Sequence, residues 1–220
     1  MKKYDVRKMA MVGMLCAVSF IMVLVGRLIP NVAGFLSYDP KDAIVAISGF
    51  IFGPLEALII TVIVSFIEFL SISGTGPIGL LMNIISTCAF ALPAAVIYKK
   101  KRNVGGAIVG LSISVIFMTA CMVLWNYLIT PYYMDVPRTA VVKMLIPTFV
   151  PFNLVKGGLN MGLTLLLYKP IISAMRRAHL VPPSRNKQKK SILSQLGMPV
   201  LSVVLLATFI VLFLILAKVI

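Results

Sequence analysis

The sequence predicts an all-α integral membrane protein with six core transmembrane helices and a seventh, C-terminal transmembrane helix. Of its 220 residues, 60% are hydrophobic, and the mean hydropathy is +1.04, whereas soluble domains are about half apolar. Apolar stretches long enough to cross a bilayer recur along the chain, with short runs of its 21 Lys and Arg between them. We therefore predict a membrane domain over 1–178, a basic cytoplasmic linker over 179–195 and an additional helix within 196–220.

The first predicted helix spans residues 9–28 and follows a basic cluster. This cluster places the N-terminus in the cytoplasm and comprises Lys2, Lys3, Arg7 and Lys8. The segment is longer than a signal-peptide core and lacks a small-residue cleavage pattern, so we expect it to be retained. Gly13 and Ala17 form a small-xxx-small pair, which permits close approach of another helix or serves ordinary internal packing.

The second and third predicted helices, residues 43–51 and 55–70, flank Gly53-Pro54 and form a tilted hairpin, because the second is short for a span. An external connection precedes them. Asp39 or Asp42 is expected to cap the second helix, and Asp42 fits this role better. Glu68, near the outer end of the third helix, fits an interfacial carboxylate and a cavity wall equally well.

The fourth predicted helix, 78–98, carries Asn83 in its outer third and runs into a second basic cluster, residues 99–102. Four crossings between the two clusters keep both in the cytoplasm. The fifth helix, 105–129, returns outward, and an external segment follows it.

The sixth predicted helix runs from 152 to 176 and ends in a third basic run. A final helix, 196–216, leaves the C-terminus outside unless it lies in the interface.

Polar residues recur on one face of the sixth predicted helix. At 100° per residue they share a narrow stripe, which contains Asn153, Lys156, Asn160 and Thr164. Gly158 and Gly162 lie on the opposite side, where another helix can pack closely. A lysine in an apolar segment normally faces the protein interior or a wet cavity. Snorkelling to the interface is the alternative for Lys156, but the amides on its stripe favour a site.

Six polar positions share the outer leaflet in this topology: Asp39, Glu68, Asn83, Asn126, Asn153 and Lys156. Unrelated packing residues would scatter in depth, so the common depth predicts one cavity that opens to the outside. Several apolar and aromatic side chains near the same level suit a flat ring: Phe35, Leu36, Trp125, Tyr132 and Phe152. Aromatic residues are also expected at a membrane interface without a ligand.

Together these segments resemble a family, the substrate-binding S components of energy-coupling factor (ECF) vitamin transporters, and specifically its riboflavin members. The resemblance covers about residues 7 to 175. Its most specific motifs lie at residues 35–42, 52–55, 79–83, 126–127, 131–132 and 151–157.

The resemblance implies a six-helix fold that captures riboflavin from outside, with the loop after the first helix as a lid. It implies that Asn126, Asn153 and Lys156 contact the vitamin. It also places Leu36 and Asp39 in the lid region and Asn83 in the wall of the site. Tyr132 lies in one of the motifs, and we include it among the predicted substrate-binding residues.

The chain has no Walker motif, so ATP-driven uptake would require separate ATPase subunits. The resemblance implies a transmembrane coupling subunit and two ATPase subunits as these partners. The small-residue pair on the first helix, Gly13 and Ala17, is then the contact for the coupling subunit. Departures from the family's pattern at 64–65, Glu68 and Leu80 leave another vitamin or flavin derivative open as the ligand. A non-transporting membrane scaffold is the other alternative.

Enzyme chemistry is not expected. The single histidine, His179, lies in a basic run, and no paired carboxylates occur at catalytic spacing on a helix. The three cysteines, Cys16, Cys88 and Cys121, lie in apolar segments without metal-ligand spacing. We therefore predict free thiols, no catalytic residues, no metal and no cofactor other than the transported ligand.

Overall fold

A computed structural model of the chain describes residues 6–72, 74–177 and 192–219. Its regular elements are helices, in agreement with the predicted fold class. They are α1 (Val6–Arg27), α2 (Lys41–Phe52), α3 (Pro54–Ser71), α4 (Gly76–Lys101), α5 (Val104–Tyr133), α6 (Arg138–Met144), a π-helical turn (Leu145–Phe149), α7 (Val150–Arg177) and α8 (Ile192–Leu216).

Two features between α5 and α7 differ from the prediction. Helix α5 continues four residues past Ile129, its predicted end, and contains Pro131. Residues expected to form a loop instead form α6 and the π-helical turn. Seven residues are too few to show a clear amphipathic period, so sequence patterning gave no signal for α6.

Helix α2 lies at the centre of the bundle. Ten of its residues, Lys41–Phe50, are buried, and it contacts α1, α3, α4 and α7. Gly53 alone separates it from α3, at φ +117°, a conformation that favours glycine, and Pro54 occupies the first turn of α3. At 12 residues α2 is too short to span a bilayer, as predicted.

Six helical stretches among the described residues are long and apolar enough to cross a membrane: Val6–Arg27, Pro54–Ser71, Gly76–Lys101, Val104–Tyr133, Arg138–Ala174 and Pro199–Leu216. Five of them surround α2 or its neighbours, and the sixth belongs to α8. A five-span bundle with a short buried helix therefore accounts for the predicted six-helix core, and α8 is the predicted addition.

The two ends of the bundle differ in charge. At one end Lys8 of α1 pairs with Glu56 at the start of α3. At the same end Tyr98 of α4 stacks on Phe50 of α2 and is followed by the basic residues 99–101. We call this the basic end. The opposite end, where α1, α3 and α5 finish and α2, α4 and α7 begin, is called the cavity end.

Helix α8 packs antiparallel to α7 through the two glycines predicted to form a close-packing face. Phe209 lies over Gly158, where an added Cβ would be 2.3 Å from the Phe209 ring, and Leu206 lies over Gly162. The final residues of α8 therefore lie at the cavity end. Residues 178–191, which include His179 and most of the predicted linker, are outside the described residues; α8 already begins within the predicted linker, at Ile192.

Candidate functional site

A cavity of ≈ 120 Å³ lies at the cavity end. Its walls come from α1, α3, α4, α5, α7 and the connection between α1 and α2, residues 28–40, which we call the α1–α2 loop. The six polar positions predicted to share one depth all line it: Asp39, Glu68, Asn83, Asn126, Asn153 and Lys156. The structure thus brings together side chains from five separate segments of the sequence.

Apolar groups complete the cavity wall. They are contributed by Val23, Phe35, Leu36, Met82, Met122 and Phe152. Phe35 also meets Phe149 edge to face, with ring centroids 5.9 Å apart. Polar groups therefore converge within a mostly apolar enclosure, the usual composition of a small-molecule site.

Tyr132 is the predicted site residue that the structure does not bring to the cavity. Its side chain is 75% exposed. Because α5 continues as a helix beyond Asn126, six further residues turn Tyr132 about 120° away from that side chain. Trp125, half-buried, packs against the hydrophobic core and is not among the cavity-lining residues.

Lys156 belongs to a buried polar cluster with Asp42 of α2. Its Nζ lies 3.5 Å from Asp42 Oδ2 and donates to Ser86 Oγ at 3.2 Å. Asp42 also accepts from Thr87 Oγ1 at 2.6 Å, and its side chain is fully buried. A charge in an apolar interior requires such partners. Lys156 therefore faces the protein interior and does not snorkel.

Asp42 makes no capping hydrogen bond, contrary to expectation, although it lies in the first turn of α2, where its charge favours the helix dipole. Helix α2 begins at Lys41 after Pro40 and has no side-chain hydrogen bond at its N-cap. Asp42 lies inside the first turn, where its carboxylate turns towards α4 and α7. Its partners on those helices lie far from it in the sequence, so local capping preference could not identify them.

A second charged cluster contains Lys41. The side chain of Lys41 is fully buried; it pairs with Asp39 and donates to Glu68 Oε2 at 2.8 Å. Arg27, at the end of α1, lies 3.7 Å from the other Glu68 oxygen. Glu68 is thus a cavity wall residue, and its carboxylate connects α1, α2 and α3.

Asn160 fastens the α1–α2 loop to α7. Tyr38 donates its hydroxyl to Asn160 Oδ1 at 3.0 Å, while Asn160 Nδ2 donates to the Asp39 carbonyl at 3.1 Å. The same Nδ2 lies 3.4 Å from Asp42 Oδ2. One buried amide thereby connects the loop, α2 and α7.

Asn126 and Asn153 each use one N–H on their own helical segment. Asn126 Nδ2 donates to the Met122 carbonyl at 2.7 Å and its Oδ1 accepts from Thr130 at 2.8 Å. Asn153 Nδ2 donates to the Phe149 carbonyl, in the π-helical turn, at 2.8 Å. Each amide has two N–H donors and a carbonyl, so both retain hydrogen-bonding capacity towards the cavity.

Burial and neighbouring charge fix the ionisation of two loop residues. Burial raises the pKa of Tyr38, and the Asp42 and Asp39 carboxylates raise it further. Burial alone would raise the pKa of Asp39, but Lys41 and Lys156 lower it below the usual value. Tyr38 therefore remains a hydroxyl donor and Asp39 a carboxylate at neutral pH.

Several hydrogen-bonding and ion-pair partners in the site had no predicted role: Tyr38, Lys41, Ser86 and Thr87. Tyr38 and Lys41 lie in a motif that carried the family resemblance, and the charge density of that motif was a signal for buried pairing. Ser86 and Thr87 had no such signal, since single hydroxyl residues are ordinary in membrane helices.

The charges on the cavity wall balance. The wall carries two cations, Arg27 and Lys156, and two anions, Asp39 and Glu68. Lys41 and Asp42, which are fully buried, add one charge of each sign. Within the described residues, no cluster of three His, Cys, Asp or Glu side chains is arranged to hold a metal ion. The site thus offers amides and paired charges, groups that bind a neutral ligand with several hydrogen-bonding positions.

Comparison with known proteins identifies the family. The family model described as "ECF transporter, substrate-specific component" matches residues 7–168. The riboflavin transporter FmnP of Bacillus subtilis is 29% identical over 188 residues, covering 80% of this chain and 98% of that protein. The riboflavin transporter RibU of Staphylococcus aureus is 28% identical over 177 residues, covering 78% and 93% respectively.

A solved structure has the same fold. The structure described as "Structure and mechanism of the S component of a bacterial ECF transporter" is 28% identical and superposes with a TM-score of 0.65, covering 77% of this chain and 98% of the other. A helical membrane bundle with a cavity in which polar groups converge defines the class, a membrane subunit that binds a substrate for transport. The chain belongs to the family of substrate-specific components of ECF transporters.

Family membership confirms the predicted resemblance and makes the chain a transport subunit rather than an enzyme. The match ends at residue 168, so α8 lies outside it. Gly13 and Ala17, the predicted coupling contact, are exposed on α1, and no heavy atom lies within 4 Å of a Cβ added at Gly13.

Proposed function

We propose that this protein is the riboflavin-binding subunit of an ECF transporter, which takes the vitamin from outside the cell for ATP-driven uptake. The observation that carries the proposal is the cavity itself, which Asn126, Asn153 and Lys156 line together with apolar and aromatic side chains. The flat isoalloxazine ring has a polar edge, and the ribityl chain has several hydroxyls. Amides and a lysine match these groups, and the curated relatives are named riboflavin transporters.

The orientation of the protein supports uptake from outside. Lys8 and the basic residues 99–101 lie at the basic end, opposite the cavity. Cytoplasmic ends of membrane proteins are enriched in Lys and Arg, so the N-terminus is cytoplasmic and the cavity faces outward in the plasma membrane.

The cavity must expand to accept the vitamin. Its ≈ 120 Å³ volume is below the roughly 300–1,000 Å³ of drug-sized ligand sites. The α1–α2 loop forms the outer wall, and its polar contacts with α7 are hydrogen bonds to the single side chain of Asn160. Movement of this loop is therefore the proposed route of entry, which gives it the role of a lid.

Uptake also requires partners. The proposed partners are a transmembrane coupling subunit and two ATPase subunits, since family membership implies an ECF module. The coupling contact is assigned to the exposed pair Gly13 and Ala17, where small side chains permit close helix approach. Gly13 lies in the basic half of α1 and Ala17 at its midpoint, whereas the α1 residues that line the cavity begin at Val23.

Fluorescence titration of riboflavin with the detergent-purified protein tests the proposal. We expect saturable quenching at one vitamin per chain. Asn153→Ala should weaken binding by about 1–3 kcal/mol through loss of hydrogen bonds. Thr208→Ala is the control, because Thr208 is exposed on α8 and donates to its own helix at Val204. Binding of a different vitamin, or of none, would contradict the riboflavin assignment.

A further inference from the structure

Helix α8 contacts the α1–α2 loop as well as α7. The contact is an apolar cluster of six buried side chains, formed by Val32 and Tyr38 of the loop, Phe152, Val155 and Leu159 of α7, and Phe213 of α8. Phe213 meets the Tyr38 ring edge to face, with centroids 6.0 Å apart. The last turns of α8 thus pack against the α1–α2 loop.

Phe213 differs from its neighbours on α8. It is 4% exposed, whereas Val211, Leu212 and Ile215 are 49%, 42% and 53% exposed. Most of α8 is therefore placed to face lipid, and Phe213 is directed into the protein. A helix needed only as a membrane anchor has no requirement for one aromatic ring buried against a loop.

Tyr38 transmits this contact to the binding site. Its ring packs on Phe213, its hydroxyl donates to Asn160, and it lines the cavity. The glycine contacts of α7 fix the position of α8, since Phe209 and Leu206 occupy the space above Gly158 and Gly162. The ring of Tyr38 is consequently held between a fixed helix and the cavity.

We propose that α8 is a clamp on the α1–α2 loop, in which Phe213 is a positioning residue that holds Tyr38 over the ligand cavity. The clamp lies outside the residues that match the family. It stabilises the closed position of the loop and slows release of the bound ligand. Phe213 acts through Tyr38 and does not itself line the cavity.

A spin label on the loop tests the clamp without any ligand. Asn31, exposed on the loop, is replaced by cysteine for labelling in a background where Cys16, Cys88 and Cys121 are alanine. We expect an immobilised label in the otherwise unchanged chain and a mobile component with Phe213→Ala. Ile215→Ala, which truncates a lipid-facing neighbour, should leave the spectrum unchanged.

Release kinetics give the second measurement, which rests on the proposed function. With riboflavin as the probe, Phe213→Ala should raise the dissociation rate about threefold to tenfold, as expected for loss of an aromatic pair. In a Tyr38→Leu background the same substitution should have less than about a twofold effect, because the clamp acts through Tyr38. Phe213→Leu, which keeps an apolar side chain, replaces Phe213→Ala if the alanine variant does not fold.

The outcomes separate the two proposals. A label equally immobile in Phe213→Ala and Ile215→Ala would overturn the clamp and leave α8 as an anchor. A label that is already mobile without substitution at Phe213 would overturn it as well. Lack of riboflavin binding would overturn the ligand assignment, while the spin-label result would still decide the clamp.

Discussion

Lys156 Nζ on α7 lies 3.5 Å from Oδ2 of Asp42 on α2, and the Asp42 side chain is fully buried. The lysine also lines the cavity. One side chain thus has two roles, neutralising a buried carboxylate and presenting an N–H group to a ligand. Paired substitutions can separate these roles, because only the first depends on Asp42.

Lys156→Met should destabilise the protein by about 3 kcal/mol, since a buried carboxylate loses its cation. Replacing Asp42 with Asn as well removes the unpaired carboxylate charge. The double variant Lys156→Met/Asp42→Asn should therefore recover most of the lost melting temperature. Riboflavin binding should remain weakened in both variants. Thermal melting with and without riboflavin measures both effects, and recovery of binding in the double variant would show that Lys156 has only a structural role.

Riboflavin should bind at least about tenfold more tightly than its phosphate ester. The cations on the cavity wall already oppose Asp39 and Glu68, so a phosphate of about −1.5 to −2 charge adds uncompensated negative charge. Competition titrations with the two flavins measure the ratio. Glu68→Gln should lower this affinity ratio, because it removes the anion that pairs with Arg27 and Lys41 and so leaves the cavity wall with net positive charge. An unchanged ratio would mean that the phosphate lies outside the cavity.

Asp39 gives a pH dependence of defined sign. Its pKa is lowered in the folded protein, so its ionised form contributes stability that is present above the unfolded value of about 3.9 and is lost as pH falls through the lower folded pKa. Asp39→Asn should therefore lower the melting temperature at pH 7. The difference from the unsubstituted protein should persist to about pH 4 and disappear below it; a difference already lost at pH 6 would contradict this ionisation.

Substitutions on α1 should separate binding from transport. Gly13→Leu meets no heavy atom within 4 Å at its Cβ, and Ala17 is exposed, so Gly13→Leu and Ala17→Trp should preserve the cavity. Both should abolish close approach of a coupling subunit and reduce cellular riboflavin uptake at least tenfold. Val25→Trp, also exposed but near the cavity end of α1, is the control. Normal uptake at normal expression would place coupling on another surface.

Much of the site was predictable because its signal is local. Residues 153, 156, 160 and 164 are all buried in the structure, as their shared helical stripe predicted. Topology from the basic clusters then gave a common depth for residues on several helices, and the structure brings six of these side chains to one cavity. Helical periodicity and charge asymmetry are properties of the sequence itself.

The partners of Asp42 were decided by tertiary structure. Asp42 has the position of a capping residue in the sequence, yet the crossing of α2 with α4 and α7 gives it Thr87, Asn160 and Lys156. Tyr132 belongs to a motif, but the continued turn of α5 directs it away from the cavity. Neither result follows from neighbours in the chain.

For the C-terminal helix, too, the sequence predicted the element and tertiary structure decided its contacts. Its length and hydropathy predicted a membrane span, and the glycines on α7 predicted a close-packing face. The sequence determined the transmembrane segments, the polar stripe and the family. Tertiary structure decided that Phe209 and Leu206 cover those glycines and that Phe213 reaches Tyr38. The physical reason is that periodicity specifies which face of a helix is apolar or polar, whereas the packing of whole helices selects the side chains that meet it.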